Sequence, residues 1–192
     1  MARPQKFDRE DVLHNAMKVF WRKGYASTSL VDLLEATGLS KSSLYASFGG
    51  KRELFLESFD AYREKRKQEM YQLLDKEPTR QAIETFFHKI LEGARACEFS
   101  NGCMSINQAI EMAPHDDDVC ARVKEDFQAM EKALAMAIDR GRQDGSVLGQ
   151  RSAYELARLL VVAFPGLQVM VRARCDTTRL DEALHLLLSL LD

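Results

Sequence analysis

The sequence predicts an all-α fold, and three observations carry that prediction. Apolar residues recur with helical spacing through almost the whole chain, and no stretch alternates β-branched residues between turn pairs. Glycines and small polar residues fall where helices have to start and stop.

The first helix begins at Asp8 as N-cap and ends at Gly24, with Val12, Leu13, Ala16, Met17, Val19 and Phe20 repeating on one side. A cap cluster, Ser27 to Ser29, opens a second helix that buries Leu30, Leu33, Leu34 and Ala36 before Gly38 stops it. Ser40 caps a third helix from Lys41 to Phe48, Gly49 and Gly50 end it, and a fourth runs from Lys51 to about Leu74. Two short helices joined by a three- or four-residue turn containing Gly, the second with a polar outer face, follow the helix-turn-helix plan. Taken alone, Gly38 would serve equally well as the C-cap of a helix in a plain bundle.

Beyond Pro78 a larger helical body is expected. Thr79 to Cys97 carries the stripe Ile83, Phe86, Phe87, Ile90 and Ala94, and Asn101 with Gly102 breaks the chain before a short helix from Cys103 to about Met112. After "APHDDD" a long helix repeats Val119, Val123, Phe127, Met130, Leu134 and Ile138 as far as the Gly141 to Gly149 turn region. Ser152 with Glu155, and Thr178 with Asp181, read as capping boxes for the last two helices. Those two helices are apolar around most of their circumference and need cover on two sides.

A net charge of −2 hides an asymmetry: residues 1–67 hold 13 Lys+Arg against 9 Asp+Glu, whereas the remainder holds 14 against 20. An anionic partner is therefore expected for the N-terminal third. The start, "MARPQKFDREDV", is charged where a signal peptide would be apolar, and the run Leu156 to Val171 carries Arg158, Pro165 and Gln168 and reads as too short for a membrane span, so a cytoplasmic protein is expected. Four cysteines, Cys97, Cys103, Cys120 and Cys175, form no CxxC pair and suit free thiols.

Other chemistries find little support. No Gly-rich phosphate loop, GxSxG or HExxH is present, and His14, His88, His115 and His185 are scattered, so no enzyme and no cofactor is expected. A metal sensor built from Cys97, Cys103, His115 and Cys120 would need convergent ligands, and their spacing forces none. A helical interaction module that ignores DNA would leave Tyr45 and Lys51 without a purpose.

"AMKVFWRKGYASTSLVDLLEATGLSKSSLYASFGGKRELF", Ala16 to Phe55, carries a family resemblance. With its "F..KGY..TS", "GLSKSSLYASF" and "GKRELF" blocks it resembles the DNA-binding domain of the TetR family of transcriptional regulators. The resemblance implies an N-terminal three-helix helix-turn-helix DNA-binding domain, residues 1–52, followed by a larger all-helical effector-binding and dimerisation domain, residues 53–192. It implies a sequence-specific regulator, a repressor released by a small molecule, with Thr28, Lys41, Ser42, Ser43, Tyr45 and Lys51 assigned to DNA. Ser42 stands where Gly is commonest and Gly50 where a polar cap is usual, so no operator sequence carries over.

For the effector, a largely apolar small molecule, the expected lining is Phe86, Ile90, Cys103, Ile106, Asn107, Ile110, Phe127, Met130, Phe164 and Gln168, apolar walls with two amides. A homodimer is expected on a near-palindromic operator, its four-helix interface built from Ala157, Leu160, Phe164, Leu167, Leu184, Leu187, Leu188 and Leu191. Cys103, at the start of its helix, is an alternative: a thiol that senses electrophiles or oxidants, set against a plain core cysteine.

Overall fold

A computed structural model describes residues 7–95 and 101–192; Cys97 and the side chain of Ala94 lie outside the described residues. Nine α-helices are present among the described residues, and no strand: α1 (Arg9–Lys23), α2 (Leu30–Thr37), α3 (Lys41–Phe48), α4 (Lys51–Leu74), α5 (Thr79–Arg95), α6 (Met104–Glu111), α7 (Asp117–Gln143), α8 (Ala153–Arg172) and α9 (Thr177–Leu188). A 3-10 turn, Ser189–Leu191, closes the chain.

The helix ends follow local chemistry. Asp8 accepts the Glu10 and Asp11 N–H groups, Ser29 and Asp32 complete a capping box, and Ser40 accepts the Ser43 N–H, each satisfying donors that a helix start leaves free. Gly38, at φ 68°, turns the chain from α2 into α3 in the left-handed region that residues with a Cβ avoid. One start differs from expectation: Asp176 caps α9 by accepting the Thr178 N–H, because a carboxylate two residues ahead reaches it first.

Two cores result. The first gathers Phe20, Leu33, Leu44, Phe48, Leu54, Phe55 and Phe59 from α1 to α4, with Phe20 and Phe55 edge to face at 5.1 Å. It also takes in Met104 of α6 and Val119 and Val123 of α7. The second, larger core lies between α5, α7, α8 and α9 and includes Phe87, Leu134, Ile138, Leu160 and Leu184. α4 joins them: Leu54, Phe55 and Phe59 belong to the first, Met70 and Leu74 to the second.

α8 corrects two expectations. With 20 residues and a mean hydropathy of 1.4 over its most apolar window, it does reach the length and composition of a membrane span. Leu156, Ala157, Leu160, Phe164 and Leu167 are nevertheless buried within the body, mainly against α7. The same burial overturns the expected dimer face. Ala157, Leu160, Phe164, Leu167, Leu184, Leu188 and Leu191 are the subunit's own core and Leu187 is half-buried, because α5 and α7 supply the cover that the sequence appeared to lack. Tyr154, Leu159, Val162, Val169, Met170, Leu186 and Leu190 are exposed instead.

Candidate nucleic-acid interface and effector cavity

α3 lies on the surface, fixed by two side chains. Leu44 and Phe48 are buried in the first core, and the residues between them face outward. Lys41 and Ser42 are exposed, Tyr45 is 49% exposed and Ser43 is half-buried. The Ser40 hydroxyl sits 3.0 Å from that of Ser42 and 2.8 Å from that of Ser43, so the start of the helix is a cluster of three hydroxyls around one cap. A short helix with this outline fits a groove about 12 Å wide.

Lys51 opens α4 with its ammonium 4.4 Å over the Tyr25 ring, and burial pushes its pKa down while the Glu111 charge opposes that. Its neighbour Arg52 faces the other way, bonded to Asp116 at 3.1 Å and to Asp118 at 2.7 Å, which raises its pKa. Arg52 is thus a tie between α4 and α7 rather than a free cation. Thr28 is placed differently from expectation: it is 1% exposed and its hydroxyl donates to the Gly24 carbonyl at 2.6 Å. That side chain holds the α1–α2 turn and does not present a free hydroxyl.

Several contacts fasten the N-terminal helices to the larger body. Glu111, the last residue of α6, accepts the Tyr25 and Ala26 N–H groups at 3.1 and 2.8 Å. Arg63 of α4 reaches Asp60, Glu125 and Asp126 at 2.8 to 2.9 Å, and Arg122 returns from α7 to Asp60 at 2.9 Å. Asp126 also accepts the Ser105 hydroxyl at 2.7 Å, yet burial pushes its pKa up against both partners. Arg63 and Asp126 are the shielded members of this network, and each has several partners, since a lone buried charge is costly, whereas Asp60 and Glu125 stay well exposed.

Behind these contacts lies a cavity of about 490 Å³, a size suited to a small molecule. Phe86, Ile90, Cys103, Ile106, Phe127, Met130, Phe164 and Gln168 all line it, with the Phe86 and Phe164 rings stacked at 6.0 Å. Asn107 is not one of its walls: its amide nitrogen donates to the Asn101 carbonyl at 2.8 Å and its oxygen accepts from Arg172. Ile110 is 67% exposed and lies outside it too. Trp21, Tyr62, Met70 and Leu73 are walls that sequence reasoning missed, because they come from helices whose apolar faces already had a use. At the mouth stand Arg66, Lys67, Lys89, Glu69 and Glu92.

Cys103 serves as the N-cap of α6 without a side-chain cap bond. Its sulfur accepts from the Tyr62 hydroxyl at 3.6 Å, and the Tyr62 oxygen in turn accepts the Met104 N–H at 3.1 Å. Burial and the neighbouring Cys103 push the Tyr62 pKa well up, so it remains a donor.

Comparison with known proteins agrees with this arrangement. Residues 12–58 match the family described as bacterial regulatory proteins, tetR family, and residues 79–187 the tetracyclin repressor-like C-terminal domain. The chain is 32% identical over 194 aligned residues, all of both chains, to the uncharacterized HTH-type transcriptional regulator YezE of Bacillus subtilis. It is 29% identical to the HTH-type transcriptional repressor ComR of Escherichia coli, across 93% of this chain and 86% of ComR. A cysteine mutant of the TetR family transcriptional regulator CifR, solved with 26-bp double-strand operator DNA, superposes with a TM-score of 0.84 at 29% identity, covering 97% and 98% of the two chains. With both halves matched and a relative aligned from end to end, this chain belongs to the TetR family of bacterial transcriptional regulators, DNA-binding proteins rather than enzymes.

Proposed function

We propose that this protein is a repressor that binds a near-palindromic operator as a homodimer and lets go when a largely apolar small molecule fills the cavity. Residues 1–52 form the DNA-binding unit and residues 53–192 the effector and dimerisation body, in a cytoplasmic setting. The observation that carries the reading is α3: a surface helix pinned by Leu44 and Phe48 whose remaining face, Lys41, Ser42 and Tyr45, is polar and exposed. Base edges are met by the Lys41, Ser42 and Ser43 end, and phosphates by Tyr45 and Lys51. Thr28 contributes through the turn that it holds. Selection of duplexes from a random pool, followed by gel shift across a salt series, tests this. A related pair of half-sites should emerge, and binding with neither sequence preference nor salt dependence would sink it.

The effector is held by the Phe86, Phe164 and Phe127 rings and by Ile90 and Ile106, with Gln168 available to orient it. Release follows if the filled body favours a spacing of the two α3 helices that no longer fits the half-sites. A thermal-shift screen of small molecules, followed by gel shift, identifies the class.

A second reading makes Cys103 the sensor of electrophiles or oxidants. It is favoured by the place of Cys103 on the cavity wall, where a small solute that enters the body would meet it. Release of a Cys103→Ser variant by the same electrophile would end this reading.

A further inference from the structure

The DNA-binding unit itself forms part of the cavity wall. Trp21 of α1 lines it beside Tyr62, Gly102 and Cys103. The indole N–H donates to the Gly102 carbonyl at 2.9 Å, across 81 positions of sequence, and the ring centroid lies 5.3 Å from that of Tyr62. Tyr62 is anchored in turn by the Met104 N–H and by Cys103. Indole and phenol are therefore each hydrogen-bonded to the residues that open α6, on the wall of the cavity.

The end of α1 is held at a second point. The Glu111 carboxylate binds the Tyr25 and Ala26 N–H groups just past α1. Gly102 precedes α6 and Glu111 ends it, so the two ties sit at opposite ends of an eight-residue helix about 12 Å long. The cavity is walled by the first tie and not by the second. An occupant pressing on Trp21 would thus turn α1 about Glu111 instead of detaching it.

We propose that Trp21 is the residue through which the DNA-binding unit senses the cavity: an occupant lodged against the indole breaks the Trp21–Gly102 bond and reorients α1. This rests on the effector reading given above and names the chemistry it requires. The indole N–H is part-buried, so an occupant that displaces Gly102 binds best when it supplies an acceptor of its own. The effector class is a largely apolar molecule carrying a carbonyl or similar acceptor.

N-ethylmaleimide, a planar imide with two carbonyls, is a usable probe, and Cys103 is its handle. The thiol gives its proton to water, the sulfur adds to the ring double bond to form a C–S bond as the π bond breaks, and the other ring carbon takes a proton back from water. Trp21 is the chain's single tryptophan, so its emission reports the contact without a label. In the wild type, modification located at Cys103 by peptide mass should shift Trp21 emission and weaken binding to a selected operator about tenfold, within the usual range of coupling between sites. Cys103→Ser should show neither change. Trp21→Phe keeps an aromatic ring beside Tyr62 but lacks the N–H, and its adduct should weaken binding by no more than about twofold.

Operator release with unchanged Trp21 emission, or full release in Trp21→Phe, overturns the Trp21 route and leaves the effector reading standing. A Cys103 adduct that leaves wild-type operator affinity untouched overturns both. Failure of the maleimide to reach Cys103 shows this end of the cavity closed to solutes and overturns the route as well. Should Trp21→Phe fail to fold, the wild-type emission and affinity measurements decide alone.

Discussion

At the residue scale, Lys51 and Tyr45 carry the phosphate assignment. Lys51→Ala should weaken binding to every sequence alike and lower the salt slope by about 0.9, the share of one neutralised phosphate on B-DNA. Tyr45→Phe should lower affinity without altering base preference, whereas Ser42→Gly should change the selected half-site. An unchanged salt slope in Lys51→Ala would reassign that ammonium to the Tyr25 ring alone. Asp32 supplies a prediction about acid. Hydrogen bonds from Lys23 and from Ser29 hold its pKa at about 2 instead of 3.8. A depressed carboxylate adds stability above its unfolded pKa, and that stability is lost as pH falls through the folded value. Asp32→Asn should therefore lose part of the acid sensitivity between pH 4 and pH 2 in a series of thermal melts.

At the scale of the element, α3 depends on its ends more than on its length. An eight-residue helix is too short to stand alone, so Ser40 at one end and the Leu44 and Phe48 anchors decide whether it forms. Ser40→Ala leaves the Ser43 N–H uncapped and should cost about 1 kcal/mol in chemical denaturation, with a larger loss in operator binding because the groove-facing hydroxyls lose their shared partner. Leu44→Ala opens a void in a fully buried position and should cost about 2–5 kcal/mol. α6 is the other element whose ends matter. Its start borders the cavity and its last residue grips the α1–α2 loop with both carboxylate oxygens, so Glu111→Gln, which keeps an acceptor for only one of the two N–H groups, should lower operator affinity, and Glu111→Ala should lower it further.

At the scale of the whole molecule, the exposed apolar residues of α8 and α9 call for a partner. Val162 is 75% and Leu186 72% exposed, and Leu159, Val169 and Met170 of α8 and Leu190 of the closing 3-10 turn are exposed as well. A second copy meeting this face across a twofold axis would cover them and set two α3 helices against one duplex. Val162→Asp combined with Leu186→Asp should leave a folded single-chain species in sedimentation, with operator affinity reduced to that of one half-site. A wild-type mass of one chain at micromolar concentration would remove the dimer altogether.

From the sequence alone came the elements, their caps apart from that of α9, and the helix-turn-helix blocks from Ala16 to Phe55, because periodicity, glycine turns and N-cap chemistry are local and a few neighbouring residues decide them. Phe86, Ile90, Phe127 and Phe164 were legible as apolar stripes for the same reason. Tertiary structure alone decided which side of α8 and α9 remains exposed, since both sides are apolar and only the placement of α5 and α7 chooses between them. It alone turned Thr28 inward, spent Arg52 on α7 and took Asn107 away from the cavity, because each is claimed by one specific partner. Trp21 shows the limit most sharply. In sequence it is one more aromatic of α1, and only folding brings it to Tyr62, 41 positions on, and to Gly102, 81 positions on. Contacts over such separations depend on how whole helices pack, which no local pattern encodes.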